Sequence, residues 1–210
     1  MSDDDDRVRI LGEQVLADDW ARLTKYRISL RRRDGVREEQ IRQVYDRGNG
    51  AAILPIDPRR GTVLLVRQFR MPVYLNPAAG AGKRGMLIEA CAGLLDRNDP
   101  ETAIRKEAEE ELGYRLRAVT RIFDAYMSPG SVSERLSLFV ADYSPADRIS
   151  AGGGEASEGE DIEVLELPID EAARMVERGE IADGKTIIFS STRSSRGRRP
   201  PVQSLRNPIR

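Results

Sequence analysis

The sequence predicts an α/β protein in which helices pack on a β-sheet. Short apolar or alternating runs, bounded by glycine, proline or charge, recur from Val8 to Tyr143 and indicate strands. Two segments, 100–112 and 168–181, have helical spacing instead. A length of 210 residues suits one domain, and the sequence shows no internal repeat.

Five segments of the chain are predicted to be strands. They cover residues 21–30, 40–46, 61–69, 86–93 and 135–143, in which apolar residues alternate with polar ones or follow one another without a break. Residues 31–38 place an Asp-Gly pair between two such runs, which is typical of a β-hairpin turn. A sheet that includes an N-terminal hairpin is therefore expected.

The first helix is predicted at 100–112. Either Asn98 or Asp99 can cap its N-terminus, and Pro100 suits the first helical position because its nitrogen needs no intrahelical partner. Gly113 is expected to end the helix, because glycine readily adopts the left-handed conformation found there.

The second helix is predicted at 168–181, with Asp170 as its cap and an apolar stripe through Ala173 and Val176. Between the last strand and this helix, residues 149–161 are rich in glycine and acidic residues and have no periodicity. This composition predicts a mobile loop.

Composition excludes several classes of function. Lysine and arginine total 34 against 35 aspartates and glutamates, so no overall charge favours nucleic acid or an anionic membrane. The acidic N-terminus differs from a secretory signal, and every apolar run is too short to span a bilayer. The single cysteine, Cys91, cannot form an internal disulfide, and it is expected to be a buried small apolar residue. The protein is expected to be cytoplasmic.

The chain contains no histidine, so any acid–base chemistry falls to carboxylates. In a helix at about 100° per residue, one stripe faces the sheet and Glu109 points to water, while three glutamates gather beside the stripe. The stripe is Ile104, Ala108 and Leu112, and the gathered glutamates are Glu107, Glu110 and Glu111. Either these glutamates form a solvated face, or they bind a hard cation such as magnesium.

A wider pattern favours the cation. Residues 93–114, GLLDRNDPETAIRKEAEEELGY, resemble the signature of the Nudix hydrolases, although Lys106 stands where the signature has arginine. The chain is similar to the bacterial GDP-mannose pyrophosphatase branch of that family, which is close to the ADP-ribose pyrophosphatases. The similar segments are 44–55, 66–72, 88–96, 126–134, 151–168 and 179–187.

The resemblance implies an α/β/α sandwich with a mixed sheet and an N-terminal antiparallel strand extension. It implies a region 1–43 for dimerisation and substrate contact and a Nudix domain at 44–190. Residues 191–210, rich in arginine, serine and proline, are expected to be a disordered basic tail. In the implied homodimer, the N-terminal strands reach the partner's site, to which Trp20 contributes.

The resemblance also implies a metal site. Its ligands are Glu107, Glu111, the backbone carbonyl of Ala92, and a loop glutamate, for which Glu160 has Glu155 and Glu158 as rivals. The metal is magnesium, with manganese as a possible substitute. Glu160 is the expected base that takes a proton from the attacking water, and Glu110 or Glu111 are the alternatives.

The implied substrate is a nucleoside diphosphate sugar. GDP-mannose, yielding GMP and mannose 1-phosphate, is expected first; ADP-ribose or another such sugar is the alternative, and a silent nucleotide sensor is the non-enzyme hypothesis. Arg70 would bind phosphate, and Trp20 would stack on the base unless it is a core residue. The other expected substrate contacts are Ile41, Arg42, Gln43, Ala92, Gly93, Leu94, Glu134 and Lys185.

Overall fold

The computed structural model describes residues 7–78 and 83–194. Within these residues the chain forms a three-stranded sheet, a seven-stranded sheet and four α-helices. None of the described helices is both long and apolar enough to cross a lipid bilayer.

The N-terminal sheet is antiparallel and consists of β1 (Val8–Asp18), β2 (Arg22–Arg31) and β3 (Arg37–Asp46). The predicted hairpin is confirmed, because β2 and β3 pair from Arg22↔Asp46 to Arg31↔Arg37 around a turn in which Gly35 has a φ of +85°. Since β3 continues to Asp46, it runs across the predicted boundary between residues 43 and 44.

The central sheet is mixed and has the order β10, β5, β4, β9, β8, with β6 paired to β5 and β7 paired to β4. Its strands are β4 (Gly50–Asp57), β5 (Thr62–Phe69), β6 (Met86–Glu89), β7 (Cys91–Leu94), β8 (Val119–Tyr126), β9 (Arg135–Asp142) and β10 (Glu163–Pro168). β4 pairs with β5 only at their connected ends. Further along, β6 and β7 occupy the gap, so the predicted strand 86–93 is divided at Ala90.

Helices cover both faces of this sheet, as expected of an α/β/α sandwich. On one face, α2 (Pro100–Glu107) packs through Ile104 on alternate strand residues such as Ile53. On the other face, α3 (Ile169–Glu177) and α4 (Gly184–Ser194) pack on the intervening strand residues. β4 and β5 are buried on both faces over much of their length, in agreement with their unbroken apolar runs at residues 50–56 and 63–66. The remaining helix, α1 (Met71–Leu75), follows β5.

The helix that carries the glutamates begins as predicted but ends differently. Asp99 caps α2 by accepting from the backbone nitrogens of Glu101 and Thr102, each at 3.1 Å. Residues Ala108–Leu112 then form a turn of π-helix, and Gly113 ends it with a φ of +77°. The expected apolar stripe is confirmed, since Ile104, Ala108 and Leu112 are fully buried. The π turn was not predicted; such turns are frequent at functional sites.

Two predictions about the second helix are wrong. The cap of α3 is Pro168, and Asp170 lies inside the first turn, where its charge still favours the positive helix end. Ala172 rather than Ala173 is the buried alanine, because the face of α3 that packs on the sheet runs through Ala172, Met175 and Val176. Helix α4 was not predicted at all; its first turn contains Gly184 and Thr186, which are weak helix formers.

The loop at 149–161 is attached to the π turn and is not simply mobile. The nitrogens of Gly153 and Gly154 donate to the carbonyls of Glu111 and Glu110, at 2.9 and 3.1 Å. Gly152, Gly153 and Gly154 all have positive φ, so a chain of other residues could not follow this path without strain. The glycine run is therefore a close backbone contact rather than a flexible spacer.

We expect Gly113→Ala to destabilise the protein by about 3 kcal/mol, because it combines a left-handed backbone with overpacking. An added Cβ would lie 2.6 Å from both the Ser150 carbonyl oxygen and the Gly152 nitrogen. Gly35→Ala is the matched control: its φ is also positive but nothing lies within 4 Å, so it should cost about 1 kcal/mol. Urea unfolding measures both, and equal losses would contradict the predicted backbone contact.

Candidate metal and phosphate site

The first carboxylate of the site, Glu107, rests against the backbone of β7 at Gly93. A Cβ placed on Gly93 would lie 2.7 Å from Glu107 Cγ and closer still to its carboxylate. Only glycine therefore leaves room for this side chain, which gives a physical reason for the glycine that begins the motif. The predicted ligand Glu107 and the expected substrate contact Gly93 are thus brought together.

The second carboxylate, Glu111, is turned inward by the π turn and is 1% exposed. Its Oε2 accepts from the backbone nitrogen of Ala92 at 3.3 Å, and the thiol of Cys91, buried as predicted, lies close to the same carboxyl group. Burial raises the pKa of Glu111 to about 8, and the neighbouring carboxylates of Glu107 and Glu160 add to the rise. An ionised Glu111 therefore lacks sufficient positive charge nearby.

The third carboxylate, Glu160, comes from the glycine-rich loop. Its side chain lies beside Gly154, where an added Cβ would be 2.8 Å from Glu160 Cβ. Its Oε2 accepts from the nitrogen of Glu155 at 2.9 Å, so Glu155 orients Glu160 through its backbone. The side chain of Glu158, the other predicted rival, lies outside the described residues.

The other two glutamates of the motif are paired on the surface. Glu110 forms an ion pair with Lys106, with 3.1 Å between Oε2 and Nζ. Glu109 pairs with Arg115 at 2.9 Å, in agreement with its predicted outward direction. Glu110 therefore lies toward the surface, whereas Glu111, its neighbour in the sequence, is buried.

The residues at this site fit a divalent cation. Within residues 7–78 and 83–194, no group of three or more acidic or cysteine side chains is arranged to hold a metal ion unaided. Magnesium, however, takes few protein ligands and keeps several waters or substrate phosphates. Glu107 and Glu111 with the backbone at Ala92 match this preference, and a cation there would offset the repulsion that raises the pKa of Glu111.

Arg70, the predicted phosphate-binding residue, lies close enough to the carboxylates for the charge of Glu111 to act on it. Its Nε donates to Glu89 Oε1 at 2.7 Å. Lys185, predicted as a substrate contact, is 7% exposed and pairs with the other oxygen of Glu89 and with Asp183. The structure therefore places Lys185 behind Arg70 rather than on an open surface.

Trp20 is not a core residue, since it is 68% exposed in the connection between β1 and β2. The guanidinium of Arg47 from the same chain lies 6.0 Å from its ring centroid. Arg47 Nε also donates at 2.8 Å to Oε1 of Glu134, an expected substrate contact that is buried. Arg47, which sequence reasoning missed, therefore connects Trp20 to Glu134.

A hollow of about 480 Å³ lies beside this connection. Arg47, Asn49 and residues 94–98 line it, so the predicted contact Leu94 is on its wall. Ile41, Arg42 and Gln43 are exposed on β3, and the hydrogen bonds of Arg42 go to Gln40 and Ile41 of its own strand. These three predicted contacts are thus available to another molecule.

A mixed sheet between helical layers, with glutamates gathered at the end of a helix, defines the class of a Nudix domain. Residues 46–187 match the family model described as NUDIX domain. Residues 7–45 match the model described as GDP-mannose pyrophosphatase NudK N-terminal domain. The chain belongs to the Nudix family.

Two relatives place the chain within that family. A protein of Pectobacterium atrosepticum named GDP-mannose pyrophosphatase is 52% identical over 182 residues, which are 87% of this chain and 91% of that protein. A protein of Escherichia coli strain SMS-3-5 with the same name is 46% identical over 183 residues, 87% of this chain and 93% of that protein. Both similarities extend through the N-terminal sheet and the Nudix domain together.

We expect Gly93→Ala to lower kcat about 100-fold while the protein stays folded, because the new methyl group displaces the carboxylate of Glu107. A displacement of a functional group by about 1 Å can lower a reaction rate by that factor. A flexible side chain can move, so the melting temperature should change little. Gly130→Ala is the control, since nothing lies within 4 Å of its added Cβ. Wild-type turnover in Gly93→Ala would show that Glu107 need not occupy this position.

Proposed function

We propose that the protein hydrolyses the pyrophosphate bond of GDP-mannose, with magnesium, to GMP and mannose 1-phosphate. The observation that carries this proposal is the buried Glu111, beside Glu107 and Glu160 and within electrostatic reach of Arg70. An arrangement of anions beside a guanidinium suits a metal–diphosphate complex. The names of the relatives support the choice of GDP-mannose.

In this proposal, Glu107, Glu111 and the carbonyl of Ala92 hold the cation. Magnesium, when bound, would neutralise the anionic oxygens that shield phosphorus from attack by water. Arg70 holds a phosphate oxygen with the guanidinium nitrogens that Glu89 leaves unused. Both effects favour the transition state, in which charge builds up on the phosphoryl oxygens.

Glu160 is the proposed base. Among the described residues, its Oε1 has no hydrogen-bond donor, while Oε2 is fixed by the nitrogen of Glu155. A carboxylate fixed through one oxygen can accept a proton from water through the other. Glu110 suits this role less well because it pairs with Lys106, and Glu111 suits it less well because it would be a metal ligand.

The direct test is hydrolysis by the purified protein of GDP-mannose, ADP-ribose and other nucleoside diphosphate sugars, with and without magnesium or manganese. GDP-mannose should have the highest kcat/KM, and both products should appear in equal amounts. Glu111→Gln, which keeps the volume but removes a charge, should lose nearly all activity and so exclude a contaminating enzyme. A preference for ADP-ribose would refute the proposed substrate, and no hydrolysis of any sugar would favour a nucleotide sensor.

We propose in addition that the protein is a homodimer joined through the N-terminal sheet, acting in the cytoplasm, where its single thiol would remain reduced. Strand β1 carries exposed apolar side chains: Val8, Ile10, Leu11, Val15 and Leu16. A contiguous exposed apolar surface of this kind is typical of a protein–protein interface. Trp20 would serve the site of its own chain through Arg47, whereas Arg42 would reach the partner's site.

Mixing two impaired variants distinguishes these two roles. Arg42→Ala and Glu107→Gln, after subunit exchange, should recover roughly a quarter of wild-type activity, because half of the dimers are mixed and each has one intact site. Trp20→Ala mixed with Glu107→Gln should recover none, because each site is then built within one chain and always carries one of the two defects. Recovery only with Trp20→Ala would reverse the two assignments, and recovery with neither would place each site within one chain.

A further inference from the structure

A second group of charges lies next to the carboxylate site, and Glu89 is at its centre. Glu89 is 2% exposed and uses its two carboxylate oxygens separately. Oε1 accepts from Arg70 Nε at 2.7 Å, and Oε2 is the partner of Lys185 Nζ. One buried carboxylate therefore joins a residue that follows β5 to a residue in the first turn of α4.

This group also fastens α4 to the sheet. Lys185 Nζ lies 3.1 Å from Asp183 Oδ1, while Asp183 Oδ2 accepts from the nitrogen of Thr186 at 3.0 Å. The hydroxyl of Thr186 accepts in turn from the nitrogen of Ala90, at 2.8 Å, where the chain passes from β6 to β7. Two cations and two anions balance within the group, which offsets the cost of burying their charges.

Arg70 differs from Lys185 in being open on one side. Its side chain is 39% exposed, whereas that of Lys185 is 9% exposed. In the described part of the chain, only Nε of its guanidinium is hydrogen-bonded. Because the guanidinium is planar, a bond through Nε fixes the direction of both terminal nitrogens, which remain available to a ligand.

We propose that Glu89 is a positioning residue: it fixes the plane of Arg70 for the substrate diphosphate, while Lys185 holds the other oxygen of Glu89. This inference rests on the proposed function above. Glu89 lies opposite Val66 of β5, and Arg70 follows β5 beside Gly85, so the Arg70 side chain reaches back along the strand to Glu89. A guanidinium held in advance loses less entropy when it binds the diphosphate than one that must be ordered by it.

A double-mutant cycle tests this role. Glu89→Gln should lower kcat/KM about tenfold, mainly by raising KM, because a charge-assisted hydrogen bond that orients Arg70 is lost. In an Arg70→Ala background, the same substitution should change kcat/KM less than twofold, because Glu89 has nothing left to orient. An equal fall in both backgrounds would overturn the proposal and leave Glu89 a purely structural role.

Asp57→Asn is the matched control for the loss of a buried carboxylate. Asp57 is buried at the end of β4, and its Oδ2 accepts from Arg60 Nε at 2.6 Å, an ion pair remote from the glutamate site in sequence and in the sheet. The Asp57→Asn substitution should lower the melting temperature as Glu89→Gln does, but it should leave KM unchanged. A KM increase in Asp57→Asn as large as that in Glu89→Gln would also overturn the proposal.

A second measurement needs neither substrate nor activity. In nitrogen-15 NMR spectra, the Nε–H resonance of Arg70 can be assigned by its loss in Arg70→Lys. The Nε proton should exchange with solvent slowly in the wild type and rapidly in Glu89→Gln. If Glu89→Gln does not fold, Glu89→Gln/Lys185→Met removes one charge of each sign and should give the same rapid exchange. Unchanged exchange would overturn the proposal, whereas a wild type that hydrolyses no nucleotide sugar would refute only the proposed function.

Discussion

Close contact of three backbone segments is the constraint on which the site depends. The π turn at Ala108–Leu112 is held between β7 and the glycine-rich loop, and each contact leaves no room for a side chain at a glycine. Gly93 admits Glu107, while Gly153 and Gly154 donate to the carbonyls at the end of the helix. The glutamates can then converge because the backbones that carry them are unusually close.

This convergence creates an electrostatic cost that the protein leaves partly uncompensated. Glu111 is buried among other carboxylates, and burial with their repulsion raises its pKa. By contrast, burial opposes the ionisation of Glu89, but the adjacent cations Lys185 and Arg70 lower its pKa below the ordinary value. The two environments differ in one respect. The charge of Glu89 is balanced by cations within the protein, whereas the carboxylates around Glu111 are suited to a cation and a diphosphate from solution.

The N-terminal sheet adds contacts that the Nudix domain alone does not contain. Tyr45 and Val132 form a parallel bridge between the two units, and Arg47 spans from Trp20 to Glu134. This sheet exposes apolar residues on β1, where the proposed dimer interface would form. The relatives keep both parts in one chain, as their matched lengths show.

The sequence alone predicted the N-terminal hairpin, strands such as β5 and β9, the start of the glutamate helix at Pro100, and the family, because apolar periodicity, helix-start residues and the glutamate motif are local signals. Only the tertiary structure decided which glutamates converge, since Glu111 is buried by β7 and the glycine-rich loop, which pack against the end of the helix. Arg47 and Glu89 could not be found from the sequence, because their partners are distant along the chain, as Glu134 and Lys185 are. Composition made the glycine-rich loop look mobile, whereas its backbone hydrogen bonds, which no pattern of side chains reveals, fix it against the helix.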